Sequence, residues 1–157
     1  MPDPTTMPGT LDDAPEVLVL QRCCWVAEAI ANDALDIPPL HEDLDGVRGW
    51  VRSAWLLRDG PRLIGGVRAT ADGGVWRIGR LMVAPDRQGD GLGRRLLAHA
   101  EAAAPEGVDR FALFTGLRST RNLALYERAG YRRTGEDAAV VHLEKPRPRS
   151  PGGRPVD

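Results

Sequence analysis

The sequence predicts an α+β fold in which a mixed, mostly antiparallel sheet carries helices on both faces. Three observations support this class. A helical pattern comes first, three strand patterns joined by tight turns follow it, and helices then alternate with strands. The 157 residues, 42% apolar and 27% charged, suit one globular domain. We expect this domain at residues 10–144, a flexible segment at 1–9 and a disordered tail at 145–157.

The first half of the chain predicts two helices and a three-stranded meander. Thr10, followed by an acid three positions on, begins a first helix of about 18 residues. Its apolar positions at near-helical spacing are Val17, Leu20, Cys24, Ala27 and Ala31. A second helix is expected over 42–51, after Pro39. Strand patterns then cover 54–58, 63–69 and 75–83, separated by Gly-containing turns.

The second half predicts helices and strands in alternation. A third helix follows a Gly-rich loop, carries one apolar stripe from Leu92 to Ala103, and is closed by Pro105. A strand over 110–115, a helix over 121–129 that Gly130 stops, and strands near 131–135 and 138–143 complete the pattern. The expected order is ααβββαβαββ, with a further short strand near residue 7 as an option.

Composition argues against several classes of protein. The formal net charge is −1 and the arginines are spread along the chain, which disfavours nucleic acid as a partner. No apolar stretch approaches the roughly 18 to 20 residues of a membrane span, and the first residues do not resemble a signal peptide. We therefore expect a cytoplasmic protein without membrane contact. Cys23 and Cys24 are adjacent, which suits neither an ordinary disulfide nor a zinc site, and no metal is expected.

The most informative segment is a strand that runs through a Gly-rich turn into a helix at residues 81–97. A helix N-terminus offers unpaired amides, and glycines let an anion approach them closely. Arg87, Arg94 and Arg95 add positive charge nearby. The segment therefore predicts a phosphate-binding cradle; the alternative is a tight turn without a ligand.

Spacing decides which phosphate ligand fits. Arg94 and Leu96 stand where a dinucleotide-binding loop would need its third glycine, and the Gly-Lys-Ser/Thr of a Walker loop is absent. By contrast, Gln88-x-x-Gly91-x-Gly93 resembles the Arg/Gln-x-x-Gly-x-Gly/Ala motif with which the GNAT superfamily of acetyl-CoA-dependent N-acetyltransferases binds CoA pyrophosphate. A second GNAT-like signature, Asn-Leu-Ala-Leu-Tyr-Glu-Arg-Ala-Gly-Tyr, occupies 122–131. The resemblance covers about residues 10–143 and is strongest over 81–131.

The resemblance implies a GNAT fold with splayed central strands, acetyl-CoA as co-substrate and no metal. The backbone of the strand before the loop would pair with the pantetheine arm, and one of its amides could stabilise an oxyanion. Asn122 would meet the pantetheine or an ordered water. Tyr126 would donate a proton to the departing CoA thiolate; its alternative roles are core packing or a hydrogen bond to the sulfur alone. The implied backbone contacts are Leu81, Met82 and Val83 for pantetheine, and Gln88, Gly89, Asp90, Gly91, Leu92, Gly93 and Arg94 for pyrophosphate.

The general base is harder to assign, because several GNAT enzymes place a glutamate on the strand before the loop and residues 76–83 contain no acid. Four candidates lie in or near the first two predicted helices, each with a solvated or helix-capping alternative: Glu28, Asp36, His41 and Glu42. Trp25 or Trp50 could line an acceptor pocket, although core packing is the commoner role of tryptophan. Acids in this region weakly suggest a cationic acceptor: Asp33, Asp36, Glu42, Asp43 and Asp45.

The sequence thus predicts an acyl-CoA-dependent N-acyltransferase. It would transfer an acetyl group to a primary amine, on a small molecule or a peptide, by direct attack in a ternary complex, because neither cysteine lies in a nucleophile motif. Two alternatives remain: a non-catalytic acyl-CoA-binding sensor or partner-binding module of the same fold, and a nucleotide-binding enzyme of another fold. Since GNAT proteins often dimerise, a homodimer is also an expectation.

Overall fold

The computed structural model describes residues 2–149, which form a seven-stranded sheet covered by helices. The strands are β1 (Thr5–Pro8), β2 (Ala54–Asp59), β3 (Arg62–Asp72), β4 (Val75–Val83), β5 (Arg110–Gly116), β6 (Arg132–Glu136) and β7 (Val140–Pro146). The helices are α1 (Ala14–Ala31), α2 (Pro38–His41), α3 (Leu44–Arg48), α4 (Leu92–Ala102) and α5 (Thr120–Arg128). The strand order is β1-β2-β3-β4-β5-β7-β6, and only the β4–β5 pairing is parallel. The predicted mixed, mostly antiparallel sheet is confirmed.

Helices pack on both faces of the sheet, as predicted. Leu96 and Leu97 of α4 are buried, and the Trp76 indole donates a hydrogen bond to the Ala100 carbonyl at 2.8 Å. Helix α4 approaches β3 closely at Gly65, where an added Cβ would lie 2.9 Å from Leu96 Cδ1. Neighbouring strand residues point to opposite faces, so the face away from α4 is left for α1 and the short helices that follow it.

The region between α1 and β2 corrects one prediction. A single helix over 42–51 is wrong, because the chain forms α2, α3 and a 3-10 turn over Val51–Ser53 instead. Asp43 is extended and its carboxylate accepts a hydrogen bond from the Gly46 amide at 2.9 Å, so α3 begins there as a separate helix. Pro38 stands at the start of α2, where its missing amide costs nothing.

Both ends of the expected domain extend further than the sequence predicted. Within the segment 1–9, Thr5–Pro8 pairs with β2 over four residues, which matches the optional strand near residue 7. At the other end β7 continues to Pro146, and the Arg147 guanidinium donates hydrogen bonds to the carbonyls of Pro105 at 2.7 Å and Ala104 at 3.1 Å. Residues 145–149 therefore continue from the sheet. The remainder of the expected tail, 150–157, lies outside the described residues, as does Met1.

The two central strands diverge after a short contact. β4 and β5 are paired only from Val75 opposite Arg110 to Arg77 opposite Ala112. Beyond Arg77, β4 stays paired with β3 and β5 stays paired with β7. The β4–β3 register shifts between Gly66 and Arg68, and Arg80 sits in this bulge with a φ of 48°. A cleft therefore opens between the second halves of β4 and β5.

Candidate active site

The Gly-rich loop forms an open cradle at the N-terminus of α4. Gly89 and Gly91 have φ values of 92° and 77°, which favour glycine. An added Cβ at Gly89 would have no atom within 4 Å, so the backbone faces open space. Gly91 is the N-cap of α4 and has no side chain that could cap it, so the first amides of the helix are free to meet an anion.

The arginines near the cradle have different roles. Arg87 is paired with Asp59 at 2.6 Å, and the Arg95 guanidinium donates to the Pro4 carbonyl, so both have partners within the chain. Arg94 Nη2 lies 4.0 Å from the position of a Cβ on Gly91, and Arg87 Nε also approaches the loop, 3.9 Å from Asp90 Oδ2.

Gln88 is held beside the cradle by its own side chain. Its Oε1 accepts a hydrogen bond from Arg121 Nη1 at 2.8 Å, and its Nε2 donates a long one to the Val83 carbonyl at 3.4 Å. Arg121 therefore places a further positive charge next to the loop. Arg121 was not predicted from the sequence, although its position just before the second motif was an available signal.

A cleft of about 460 Å³ occupies the gap between β4 and β5, below the C-terminal part of α1. It brings together three residues named from the sequence, Leu81, Asn122 and Tyr126, with the base candidate Glu28. Met82 is buried beside it with 1% exposure, and residues 88–94 lie outside its lining, at the cradle. The predicted site residues therefore form two adjoining parts, a cradle and a cleft, joined by the end of β4.

Asn122 and Tyr126 lie one turn apart on α5 and both face the cleft. The Asn122 amide donates to the Thr115 hydroxyl at 3.3 Å. Tyr126 is buried, and its hydroxyl has no hydrogen-bond partner among residues 2–149. Burial, and secondarily the charge of Glu28, raise the pKa of Tyr126 above its ordinary value. The phenol therefore stays protonated and can act as a proton donor.

Glu28 is the base candidate that the structure brings to Tyr126. Its carboxylate accepts a hydrogen bond from the Ser119 hydroxyl, which in turn accepts one from Asn32 Nδ2 at 2.9 Å. Asn32 also anchors the loop before α5, since its Oδ1 accepts from the Arg118 amide at 2.8 Å. The carboxylate is thus oriented by its neighbours and half-buried at the cleft wall.

The other three base candidates do not line the cleft. Glu42 Oε1 accepts hydrogen bonds from the Trp50 indole at 2.8 Å and from Gln21 at 3.1 Å. His41 Nε2 lies 3.3 Å from Asp36, and both side chains are exposed. The acids that suggested a cationic acceptor are likewise absent from the cleft wall, and Asp43 instead caps α3. Of the two tryptophans considered, Trp25 lines the cleft and Trp50 is buried behind it.

Cys24 contacts the end of β4 but is poorly suited to nucleophilic chemistry. Its thiol donates a hydrogen bond to the Val83 carbonyl at 3.3 Å. Burial, and then the neighbouring Cys23, raise the pKa of Cys24 to about 12. The thiolate form is therefore scarce at neutral pH.

Residues 2–149 contain neither a cluster of metal-ligating side chains nor a helix that could span a membrane. His, Cys, Asp and Glu side chains do not gather there in groups of three or more that could hold a metal ion. Over the same residues, every helix is too short or too polar to cross a membrane.

Comparison with known proteins identifies the family. A family model described as "Acetyltransferase (GNAT) family" matches residues 15–131, most of the chain. The chain belongs to the GNAT acetyltransferase family. The resemblance predicted from the two sequence motifs is therefore confirmed, and the diverging strands β4 and β5 are the splayed pair expected for a GNAT fold.

Two proteins that are similar to this chain are themselves named as acetyltransferases. The mycothiol acetyltransferase of Clavibacter sepedonicus is 36% identical over 137 residues, which are 83% of this GNAT chain and 42% of that protein. This chain thus spans less than half the length of that curated relative. The PaiA N-acetyltransferase of Thermoplasma acidophilum, solved in complex with coenzyme A, superposes with a TM-score of 0.83 at 14% identity, covering 92% of this chain and 99% of that one.

A second solved structure has the same fold. The yncA protein of Salmonella typhimurium, solved with its cofactor acetyl-CoA, superposes with a TM-score of 0.74 at 14% identity. The match covers 99% of this chain and 100% of that one. At this level of identity the two structural likenesses establish the GNAT fold alone.

Proposed function

We propose that this GNAT protein is an N-acetyltransferase that moves an acetyl group from acetyl-CoA to a primary amine by direct transfer in a ternary complex. The observation that carries the proposal is the continuity of the site. An open glycine cradle at α4 leads along the end of β4 into a cleft that holds both a protonated phenol and an oriented carboxylate.

Acetyl-CoA fits the residues that are present. The pyrophosphate would be held by the backbone from Gln88 to Arg94, where the positive φ angles of two glycines leave the approach open. The edge of β4 that faces away from β3 would pair with the pantetheine at residues 81–83, as an added strand does. Asn122 lies on the cleft wall, within reach of the same arm. When bound, acetyl-CoA supplies an activated acetyl group as a thioester.

Tyr126 and Glu28 would handle the two protons of the reaction. The new C–N bond forms as the C–S bond breaks, so the amine loses a proton and the sulfur gains one. Glu28, directly or through a water, takes the proton from the amine. Tyr126 donates its phenolic proton toward the sulfur as the C–S bond breaks.

Direct transfer is favoured over an acyl-enzyme by the state of the cysteines. Cys24 is the one of the two that packs against β4, and its pKa near 12 keeps it as a thiol. Cys23 is exposed on α1. No residue on the cleft wall among those described is a cysteine. The ternary complex therefore accounts for the geometry without a covalent intermediate.

Isothermal titration with acetyl-CoA tests the cofactor assignment. Wild-type protein should bind in the micromolar range, and Gly91→Glu should abolish binding because it places bulk and negative charge in the cradle. Gly107→Glu is the matched control. Gly107 also has a positive φ, 87°, with open space around it, but it lies beyond the far end of α4. Both variants pay a similar backbone cost of about 1–2 kcal/mol, so loss of binding in both would indicate a general folding defect.

Release of CoA in the presence of a panel of primary amines tests the activity. Turnover that depends on an amine supports the transferase. A folded wild-type protein that binds no acetyl-CoA would contradict the proposal. Binding with no turnover on any amine would favour the non-catalytic acyl-CoA-binding module instead.

A further inference from the structure

The charge on the cleft wall is mainly positive. The charged side chains on the cleft wall are Glu28 and three arginines, Arg68, Arg77 and Arg80. Arg77 is largely exposed and is neutralised by Asp72 at 2.9 Å. Arg68 and Arg80 differ from it in burial and in their partners, so the positive charge of the cleft is concentrated on these two.

Arg68 and Arg80 share one aromatic support. Their guanidinium carbons lie 5.7 Å and 6.0 Å from the centroid of the buried Trp50 ring. Trp50 is in turn fixed by the hydrogen bond from its indole to Glu42. Both guanidinium groups are therefore supported by one rigid ring and line the same cleft, an arrangement suited to binding an anion with two oxygens.

The charge of this pair is only partly balanced within the chain. Arg68 has no ion pair or hydrogen bond through its side chain among residues 2–149. Arg80 Nη2 approaches Glu42 Oε2 at 3.7 Å, while the other Glu42 oxygen is occupied by two neutral donors. Arg80 Nε is buried without a hydrogen-bond partner. One carboxylate, 3.7 Å from Arg80, is thus the only ion-pair partner of the two arginines among residues 2–149, and a buried donor of Arg80 remains free.

The surroundings of Arg80 indicate the same need for negative charge. Burial, joined by the nearby Arg68, lowers the pKa of Arg80 despite Glu42. Its backbone is held at a φ of 48°, in the left-handed region that arginine rarely adopts, within the bulge of β4. Strained residues of this kind persist where the surrounding structure holds them, often at binding sites.

We propose that Arg68 and Arg80 bind a carboxylate of the acceptor, so that the acceptor is an amino acid or a similar small amine carrying a carboxylate. This inference rests on the proposed transferase function. With the carboxylate on the arginine pair, the amine would lie toward Glu28 and Tyr126 at the other part of the cleft. Trp25, Ile37 and Phe114 add apolar surface to the wall of the same cleft, where an aliphatic or aromatic body would pack. The acceptor is then a zwitterion rather than the cation that the sequence suggested.

A paired substrate panel tests the carboxylate requirement. The panel contains the common α-amino acids and ω-amino acids of increasing chain length, each beside its carboxamide, which keeps the amine and removes the negative charge. At saturating acetyl-CoA, at least one carboxylate should be acetylated with a kcat/KM at least about tenfold above that of its amide, because a charge-assisted hydrogen bond is lost with the amide. The chain length of the preferred ω-amino acid indicates the distance between the places where the carboxylate and the amine bind.

Variants assign the effect to the arginine pair. Arg68→Gln should raise KM for the preferred carboxylate at least about tenfold while changing KM for its amide less than threefold. Arg80→Gln should change the two KM values in the same way. Arg68→Gln is easier to interpret, because Arg68 has no ion pair among residues 2–149 that the substitution would break. Arg48→Gln is the matched control: it removes an arginine that is paired with Asp45 at 3.0 Å and lies outside the cleft wall, and it should leave both KM values unchanged.

Separate readouts distinguish failure of this inference from failure of the transferase. Calorimetry with the same carboxylates, with and without coenzyme A, should show binding that Arg68→Gln weakens, whether or not acetyl transfer occurs. Amides that are bound and acetylated as well as the carboxylates, or an unchanged carboxylate KM in Arg68→Gln, would overturn the acceptor assignment and leave the transferase standing. A protein that binds the carboxylates but no acetyl-CoA would overturn the transferase alone.

Discussion

At the residue scale, Tyr126 should matter for rate and hardly at all for folding. Its hydroxyl faces the cleft and is free of hydrogen bonds to residues 2–149, so Tyr126→Phe removes a proton donor without breaking an internal contact. We expect kcat to fall on the order of 100-fold, with little change in acetyl-CoA affinity or melting temperature. Steady-state kinetics and thermal unfolding measure the two effects.

Tyr131→Phe is the control for this substitution. The Tyr131 hydroxyl donates to Glu101 at 2.8 Å, outside the cleft wall. Removing it should cost about 1–2 kcal/mol of unfolding free energy and leave kcat unchanged. If Tyr126→Phe also kept full activity, the phenol would be a packing residue or a weak hydrogen-bond partner of the sulfur.

Glu28→Gln tests the general base through pH. At pH 7 an aliphatic amine is mostly protonated, since its pKa is about 10, so loss of a base should lower kcat/KM strongly. As pH rises toward 10 the amine deprotonates in solution and needs the base less, so the ratio of wild-type to variant rate should shrink. Asp36→Asn, at an exposed carboxylate outside the cleft, should match the wild type throughout. A ratio that stays constant with pH would argue against Glu28 as the base.

Some site residues could be named from sequence and others could not, for a physical reason. The cradle and Tyr126 lie in contiguous motifs whose local geometry follows from glycine and helix periodicity. Arg68 and Arg80 meet only through the β3–β4 register, in which Arg68 is opposite Gly79 and a bulge moves Arg80. Neither register nor bulge is encoded by alternation alone, so the basic part of the cleft was missed and the local run of acids was overvalued.

At the element scale, elements with a clear apolar pattern were placed well, whereas the inner face of α1 was not identified. The strands β2 to β4 and the helix α4 were placed within a few residues, because alternation or a single apolar stripe marks them. In α1 the length was right, but Ala27 and Ala31 of the predicted stripe are exposed, whereas Gln21 is buried. The helix carries exposed apolar residues such as Val19 and Ile30, so hydrophobicity alone could not identify its inner face.

The contact between α4 and β3 gives a prediction about stability. At Gly65 a new Cβ would lie 2.9 Å from both Leu96 Cδ1 and the Met82 carbonyl oxygen, and the backbone oxygen cannot move aside cheaply. Gly65→Ala should therefore lower the unfolding free energy by about 1–3 kcal/mol. Gly135→Ala, at a strand glycine of β6 with no atom within 4 Å, should stay within about 0.5 kcal/mol of wild type. Urea unfolding compares them, and equal stabilities would mean that α4 shifts to accommodate the methyl group.

At the scale of the whole molecule, the sheet topology unites motifs that are far apart in the chain. β4 and β5 are parallel, so the loop after β4 and the helix after β5 emerge at the same edge of the sheet. This brings the glycine cradle and α5, about 30 residues apart in sequence, to adjoining parts of one site. Helix α1, from the N-terminal part of the chain, adds Glu28 to the wall of the cleft. The fold class and motif order were enough to predict the meeting of the first two, whereas Glu28 of α1 was one of four base candidates that the sequence did not separate.

The protein should lose stability in acid, because carboxylates whose hydrogen bonds hold its loops in place become protonated. Hydrogen bonding to Arg62 lowers the pKa of Asp86, and the amides of Ala139 and Val140 lower that of Asp137. For Asp13, partial burial acts to raise the pKa, but hydrogen bonds from Thr10 and Arg58 leave it below the ordinary value. The Asp13–Arg58 contact, 2.8 Å long, ties the start of α1 to β2.

A carboxylate with a lowered pKa in the folded state stabilises it above the ordinary value of 3.8, and this contribution is lost as pH falls through the folded pKa. The melting temperature should therefore be nearly constant from pH 7 to about 5 and fall steeply below about 4. Asp13→Asn isolates one contribution: it should melt below wild type at neutral pH, and the difference should shrink toward zero near pH 2. A difference that persists undiminished in acid would mean that Asp13 acts through packing rather than through its charge.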